Sequence, residues 1–450
     1  MQRKTITGFS KLTKEEKLRW TADRFSAQPE VMIDEARSFW YADEDQQSIL
    51  DGFSENTITN FHLPYGIAPN FIINGKPYAV PMVIEESSVV AAASSAAKFW
   101  MQRGGFRAEV LGTQKLGQVH FKWAGRAEKL KGLFDELRVR FYQEAAYLTA
   151  NMEKRGGGVL DVELRDKTAL EPGYYQLFVS FETCDSMGAN FINSVLESFA
   201  QSLTDFFAQH PAFSEEEREV EVIMSILSNY TPDCLVRAWV ECPVEALEGV
   251  CNKLDASSFA RRFRQAVRIA HIDPHRATTH NKGIFNGVDA VVIATGNDFR
   301  AAEACGHTYA ARDGQYRSLS YCSVEEGAFR FWLDLPITLG TVGGLTRLHP
   351  MARRSLELLG DPSAEELMMI IAATGLAQNF AALRSLITTG IQHGHMRMHL
   401  MNILNHLEAT DLEKAAVVDH FRQQVVSFTA VREYLQSLRD SPDRRVAAAK

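Results

Sequence analysis

Two charged residues bracket an apolar run in 271-HIDPHRATTHNKGIFNGVDAVVIATGNDFR-300, Lys282 before it and Asp298 after it. The run GVDAVVIATG has the texture of a buried strand, and ligands gather beyond the carboxyl ends of strands. A lysine ammonium held beside a carboxylate in a dry site stays charged, polarises a carbonyl and stabilises an oxyanion. Each residue also has a plainer reading. Lys282, among glycines, reads as a solvated loop lysine. Asp298 heads the helix-like FRAAEACGHTYAA and reads as its N-cap.

A second acidic pair, Glu85-Glu86, opens the Ala-rich segment EESSVVAAASSAAKFW. Two acids in a first turn complement the helix dipole. A carboxyl pushed into an apolar pocket instead keeps its proton and serves as an acid near neutral pH. Near the C-terminus, HGHMRMH places His395 and His399 four apart, on one face of a helix, whereas His393 and His395 do not share a face. No glutamate follows in the zincin arrangement and no third ligand is signalled, so these histidines read as surface or packing residues and no metal is expected. No G-x-G-x-x-G follows a strand and no Walker A loop exists; G-x-x-G-G at 340–344 is by itself a glycine turn.

The elements that must position these groups follow from pattern. Thr13-Lys14-Glu15-Glu16 and Ser363-Ala364-Glu365-Glu366 are capping boxes, opening helices to about 28 and about 387. Gly104-Gly105 end the Ala-rich helix. Between about 106 and 228 the order is strand (VLGTQKLGQVHFKWA), helix, two strands (LDVELRD, YYQLFVSFETC), a long helix and a strand (EVEVIMSIL). That order predicts an inserted α+β unit covering a sheet on one face. Hairpin-like strands run through LSYCSVEEGAFRFWLDLPITL, and helices are expected at roughly 392–407 and 411–438 after a break at Thr388-Thr389-Gly390.

The 450 residues, 46% hydrophobic, suffice for a sizeable core of two or three domains. A net charge of −8 argues against nucleic acid as a partner while leaving room for a local basic pocket. Six scattered cysteines without a CxxC pair read as reduced thiols, and the N-terminus lacks an apolar signal region. No apolar run reaches the length of a membrane span. The expectation is a cytoplasmic protein.

Ten motifs in order resemble the hydroxymethylglutaryl-CoA (HMG-CoA) reductases, specifically the bacterial-type soluble class: ENTIT (55–59), FHLPYGIAPNF (61–71), PMVIEESS (81–88), CDSMGAN (184–190), ILSN (226–229), DPHRATTHNKGIFNG (273–287), ATGND (294–298), GTVGG (340–344), GLAQN (375–379) and GIQHGHM (390–396). The resemblance implies an α+β fold. A large HMG-CoA-binding domain (1–112 and 229–388) would carry an inserted small ferredoxin-like, non-Rossmann dinucleotide-binding domain (113–228) and a C-terminal helical flap (389–450). It implies catalytic roles for Glu86, Lys282, Asp298 and His395. Arg276, Asn286, Ser88 and Asn229 would hold the hydroxymethylglutaryl group, with Asn379 a further active-site polar residue. Asp185, Met187, Gly188, Ala189 and Asn190 would lie by the cofactor pyrophosphate.

In that reading two hydrides from NAD(P)H interconvert HMG-CoA with mevalonate and coenzyme A. Lys282 stabilises the first oxyanion, His395 protonates the CoA thiolate, Glu86 protonates the final alkoxide and Asp298 contacts Lys282. Asp161 stands where such enzymes meet the adenine ribose; a carboxylate there accepts from a free 2′-hydroxyl and repels a 2′-phosphate, favouring NADH over NADPH. No metal enters. A homodimer is implied, with ENTIT near the partner's site. Three positions depart from the family: Thr59 where glycine is usual, Ser186 where alanine is common and Ser87 where this class usually has proline. The competing readings are a catalytically idle acyl-CoA-binding homologue acting as a regulatory or structural oligomer and, more weakly, a metal-dependent hydrolase built on His395 and His399.

Overall fold

The computed structural model describes residues 5–251, 254–388, 390, 400–421, 424 and 426–440. Three short helices come first, α1 (Lys14–Phe25), α2 (Pro29–Ser38) and α3 (Glu44–Asp51). The reciprocal Thr13/Glu16 cap expected at α1 is formed. A hairpin of β1 (Tyr65–Ile73) and β2 (Lys76–Val83) turns at Asn74-Gly75, both with positive φ. Then comes α4 (Val89–Met101), which stops ahead of the left-handed Gly104 and Gly105.

The run read as one strand from VLGTQ to HFKWA is two strands in two sheets. β3 (Arg107–Thr113) pairs with β8 (Cys234–Pro243), while β4 (Lys115–Trp123) pairs with β6 (Tyr174–Glu182) and β7 (Val220–Ser228). Continuous apolar texture cannot mark the residue at which a chain changes sheets. With α5 (Ala127–Glu153), β5 (Gly158–Asp166) and α6 (Ala189–Gln209), the unit runs β4-α5-β5-β6-α6-β7 in spatial order β5-β6-β4-β7. This antiparallel βαββαβ arrangement is ferredoxin-like. Its own core joins Val119, Phe121 and Phe181 to Phe141 and Phe199 of the two helices.

The larger core lies under the antiparallel sheet β3-β8-β10-β9, completed by β9 (Ser320–Glu325) and β10 (Ala328–Pro336). Packed around it are α7 (Ala256–Ile272), α8 (Pro274–Ala294), α9 (Phe299–Ala310), α10 (Leu345–Leu348), α11 (Pro350–Leu358) and α12 (Ala364–Ile387). The Ser363/Glu366 capping box opens α12 as expected. By length and composition α12 could cross a membrane, but 83% of its apolar window is buried inside the fold. It is the central core helix. Two C-terminal helices, Asp411–His420 and Phe428–Asp440, share a separate small core.

GVDAVVIATG is not a strand. Asp273 caps His275 N–H, Pro274 takes the first helical position, and one helix runs from there through Ala294. Its apolar residues are buried toward the hairpin, α7 and α12, so the run looks continuous and its helical period is masked. Gly287, which looked like a loop signal, permits close helix packing: a Cβ there would sit 2.9 Å from Thr374 O and from Gln378 Cβ of α12.

Candidate active site

Lys282 therefore stands in the middle of α8, with Asn286 one turn on. Its Nζ lies 3.1 Å from Glu86 Oε2. Asn286 Nδ2 donates to the same oxygen at 3.4 Å, and Ser88 Oγ donates to Glu86 Oε1 at 3.2 Å. Glu86 sits in the linker between β2 and α4, so the hairpin and α8 together set this cluster. Four of the residues named from sequence are thus brought together.

The expected pairing of Lys282 with Asp298 is not formed. Asp298 caps α9 through the N–H groups of Arg300 and Ala301, and its carboxylate takes the Arg300 guanidinium at 3.0 Å. With the α8 helix between them, the lysine meets the hairpin linker and the aspartate meets its own helix. Nor is the lysine buried in this single chain: its side chain is 64% exposed, facing a cleft.

That cleft, of about 610 Å³, is lined by Glu85, Lys282 and Asn286, and further along α8 and α9 by Asp289 and Glu303. Asp289 escaped the sequence reading, although an acid inside GVDAVV was the available signal. Burial and the neighbouring Glu303 carboxylate push the Asp289 carboxyl up to about 8, and its Oδ1 has no hydrogen-bond partner. Asn297 was also missed as a brace; its Oδ1 accepts from Gly340 N–H at 2.9 Å, fixing the GTVGG loop.

Arg276, half-buried on the first turn of α8, makes no ion pair among the described residues, and burial lowers its pKa. It crowds His280, which burial and Arg276 depress to about 3. His280 Nε2 meets Ser320 Oγ at 2.7 Å, and that hydroxyl donates to Asn379 Oδ1 at 2.8 Å. Asn379 is 1% exposed, so it braces α12 against β9 in this chain rather than facing the cleft.

The remaining positions cluster around the small sheet. Asn229 lines a narrow pocket with Lys115, Met187 and Ala189. Gly188 is the left-handed N-cap of α6, and a Cβ on it would meet Thr183 Cγ2 at 2.5 Å. A Cβ on Gly340 would meet Met187 N at 2.5 Å, so the loop 185–188 and GTVGG are seated on each other. Asp185 is spent on the fold: its Oδ1 accepts from Ala364 N–H, at the start of α12, at 2.8 Å. Asn190 is exposed in the first turn of α6. Asp161, exposed beside a bulge in β5, lies 3.9 Å from Arg138 Nη1. In the ENTIT segment, the left-handed residue is Asn56 rather than Thr59, whose hydroxyl donates to Ala36 O at 2.6 Å. The threonine is accommodated without strain. His393, His395 and His399 lie outside the described residues.

Comparison with known proteins closes the question of family. The model of the family "Hydroxymethylglutaryl-coenzyme A reductase" matches residues 22–400. The 3-hydroxy-3-methylglutaryl-coenzyme A reductase of Archaeoglobus fulgidus is 36% identical over 96% of this chain and 94% of its own length. A probable reductase of the same name from Borreliella burgdorferi is 32% identical, covering 91% and 92%. The class II 3-hydroxy-3-methylglutaryl-CoA reductase of Streptococcus pneumoniae, solved bound to NADPH in open conformations, is similar at a TM-score of 0.69 and 36% identity, over 85% of this chain and 100% of that one. On its motifs, its fold and these relatives, the chain belongs to the hydroxymethylglutaryl-coenzyme A reductase family.

Proposed function

We propose that this chain reduces HMG-CoA to mevalonate and coenzyme A with a nicotinamide dinucleotide, through two hydride transfers. The observation that carries the reading is the Lys282–Glu86 ion pair, flanked by Asn286 and Ser88 at the wall of a large cleft. A fixed cation and a carboxyl acid side by side are what a thioester carbonyl needs as it becomes first an oxyanion and then an alkoxide. The half-buried, unpaired Arg276 suits the substrate's carboxylate.

When bound, the dinucleotide supplies the hydride. The residues present fit it: glycines at 188 and 340 leave backbone room, and the N-terminus of α6 has no capping side chain. Lys282 holds the oxyanion made at the thioester carbon. His395, on the flap at 389–450, protonates the departing CoA thiolate and prevents its return. Glu86, an ionised partner of Lys282 at rest, takes up a proton from the cleft between the two reductions and delivers it to the final alkoxide, and Asp298 tunes the charge around the site. The small unit at 113–228 serves as the dinucleotide-binding domain, while 1–112 and 229–388 hold HMG-CoA. Asp161 favours NADH over NADPH.

The working form is a homodimer. Phe61 is 90% exposed, and Leu63, Phe299, Leu345 and Met351 expose apolar surface around the same clefts. Apolar patches of this kind mark interaction sites, and a second copy seated here would also bury Lys282. Buried thiols at Cys234, Cys242 and Cys305 agree with a cytoplasmic setting. The test is a single assay that follows NADH and NADPH absorbance with HMG-CoA; no turnover with either dinucleotide sinks the reading.

A further inference from the structure

Lys115 opens β4, immediately after the chain crosses from the large sheet to the small one. It is 4% exposed. Lysines are almost never buried this far unless paired, because an isolated ammonium loses its hydration. Among the described residues Lys115 makes no ion pair. Glu182, next to Lys115's cross-strand partner Phe181, is occupied: Thr113 Oγ1 donates to Oε2, and Cys184 N–H donates to Oε1 at 2.7 Å.

The side chain of Lys115 lines a narrow pocket with Met187, Ala189, Asn229, Ala301 and Thr338. Ala189 is the first residue of α6, a helix of 21 residues whose N-cap is a glycine. No side chain caps that end and no acidic residue lies in its first turn. Free N–H groups and the helix dipole make such an end an anion site. A largely buried lysine beside it, with no ion pair among the described residues, is an independent basic feature pointing to the same ligand charge. The pocket measures about 20 Å³, which admits one oxygen-sized group rather than a whole phosphate.

We propose that Lys115 receives a phosphate oxygen of the dinucleotide at the N-terminus of α6. It does so where the chain passes between the two sheets, with Asn229 at the return crossing, so a bound phosphate braces the small sheet against the large one. This assignment rests on the dinucleotide reading given above.

The experiment uses the full-length protein, its Lys115→Met and its Lys115→Arg variants. Affinities for NADH, NADPH and HMG-CoA are read by fluorescence or calorimetric titration, and thermal unfolding is followed with and without inorganic pyrophosphate. Lys115→Met should unfold at the same or a higher temperature, because an apolar side chain of similar length replaces a largely buried lysine that has no ion pair among the described residues. It should nevertheless bind dinucleotide at least about tenfold more weakly, keep its HMG-CoA affinity, and lose the rise in unfolding temperature that pyrophosphate gives the parent. Lys115→Arg should retain part of the binding. Unchanged dinucleotide affinity in Lys115→Met overturns the proposal, as does a lower unfolding temperature with binding intact, which would make the lysine structural. A loss confined to HMG-CoA assigns the cation to the substrate and also overturns it. If the parent binds neither dinucleotide, the cofactor reading itself has failed; a pyrophosphate effect lost in Lys115→Met would then still uphold the phosphate site.

Discussion

Lys282 Nζ and Glu86 Oε2 lie 3.1 Å apart across 196 residues of sequence. The pair joins the middle of a core helix to the linker after a hairpin, and it sits beside the cleft rather than within the core. Exposed ion pairs contribute little to stability, with a median of about 0–1 kcal/mol. On the proposed reaction its value lies in chemistry instead. Lys282→Ala should lower kcat by about a hundredfold or more in both reductive steps, with unfolding temperature nearly unchanged. Comparable turnover in the variant would remove the oxyanion role.

His395→Gln separates the two halves of the reaction. A thiolate with a pKa of about 8.5 re-attacks the aldehyde unless it is protonated. The variant should lose HMG-CoA reduction by about tenfold or more while reducing free mevaldehyde nearly as well as the parent. Equal losses on both substrates would contradict the assignment.

Asp161→Ala should shift the ratio of kcat/KM for NADPH over NADH upward by about tenfold, as repulsion of a 2′-phosphate disappears. Arg138, 3.9 Å away, is then free to meet that phosphate. A ratio that stays where it was ends the argument for an NADH preference.

Asp289 gives the protein a stability that depends on pH. Its carboxyl is held well above the ordinary aspartate range by burial and by Glu303. The folded state then binds a proton that the unfolded chain has released. Stability is highest below the ordinary value of about 3.9 and falls as pH rises toward the folded value near 8. Asp289→Asn should flatten that decline and gain about 1–2 kcal/mol over the parent at pH 8. Denaturant unfolding from pH 5 to pH 8 measures this, and parallel curves for parent and variant would refute it.

Phe61, 90% exposed, tests the dimer. Phe61→Asp should yield monomer in sedimentation at micromolar concentration and lose activity with it, because burying a charge in an apolar interface costs several kcal/mol. A fully active dimer in that variant would place the interface elsewhere.

Much of the architecture was legible because local rules and tertiary context agree. Thr13 with Glu16 and Ser363 with Glu366 cap their helices as short-range chemistry dictates. The βαββαβ order of the small unit follows from alternation and turn residues. Two errors share one cause. The stripe of α8 that faces the cleft, Lys282, Asn286 and Asp289, is narrow, and Asp289 alone of these falls inside the apolar run, so the run reads as a strand; a similar continuous texture hides the change of sheet between Thr113 and Lys115.

By itself the sequence determined the family, through motifs in order, and which residue types are available: a lysine, two acids, an arginine and small residues where backbones approach. It could not determine who meets whom. That Lys282 pairs with Glu86 while Asp298 turns to Arg300 depends on the rotation of α8 against the hairpin. That Asn379 is sealed with His280 and Ser320, and Lys115 buried without a counter-ion, depends on which faces the packed helices and sheets close off. Pairing and burial arise from contacts between segments hundreds of residues apart, and such contacts have no signature in any local stretch of chain.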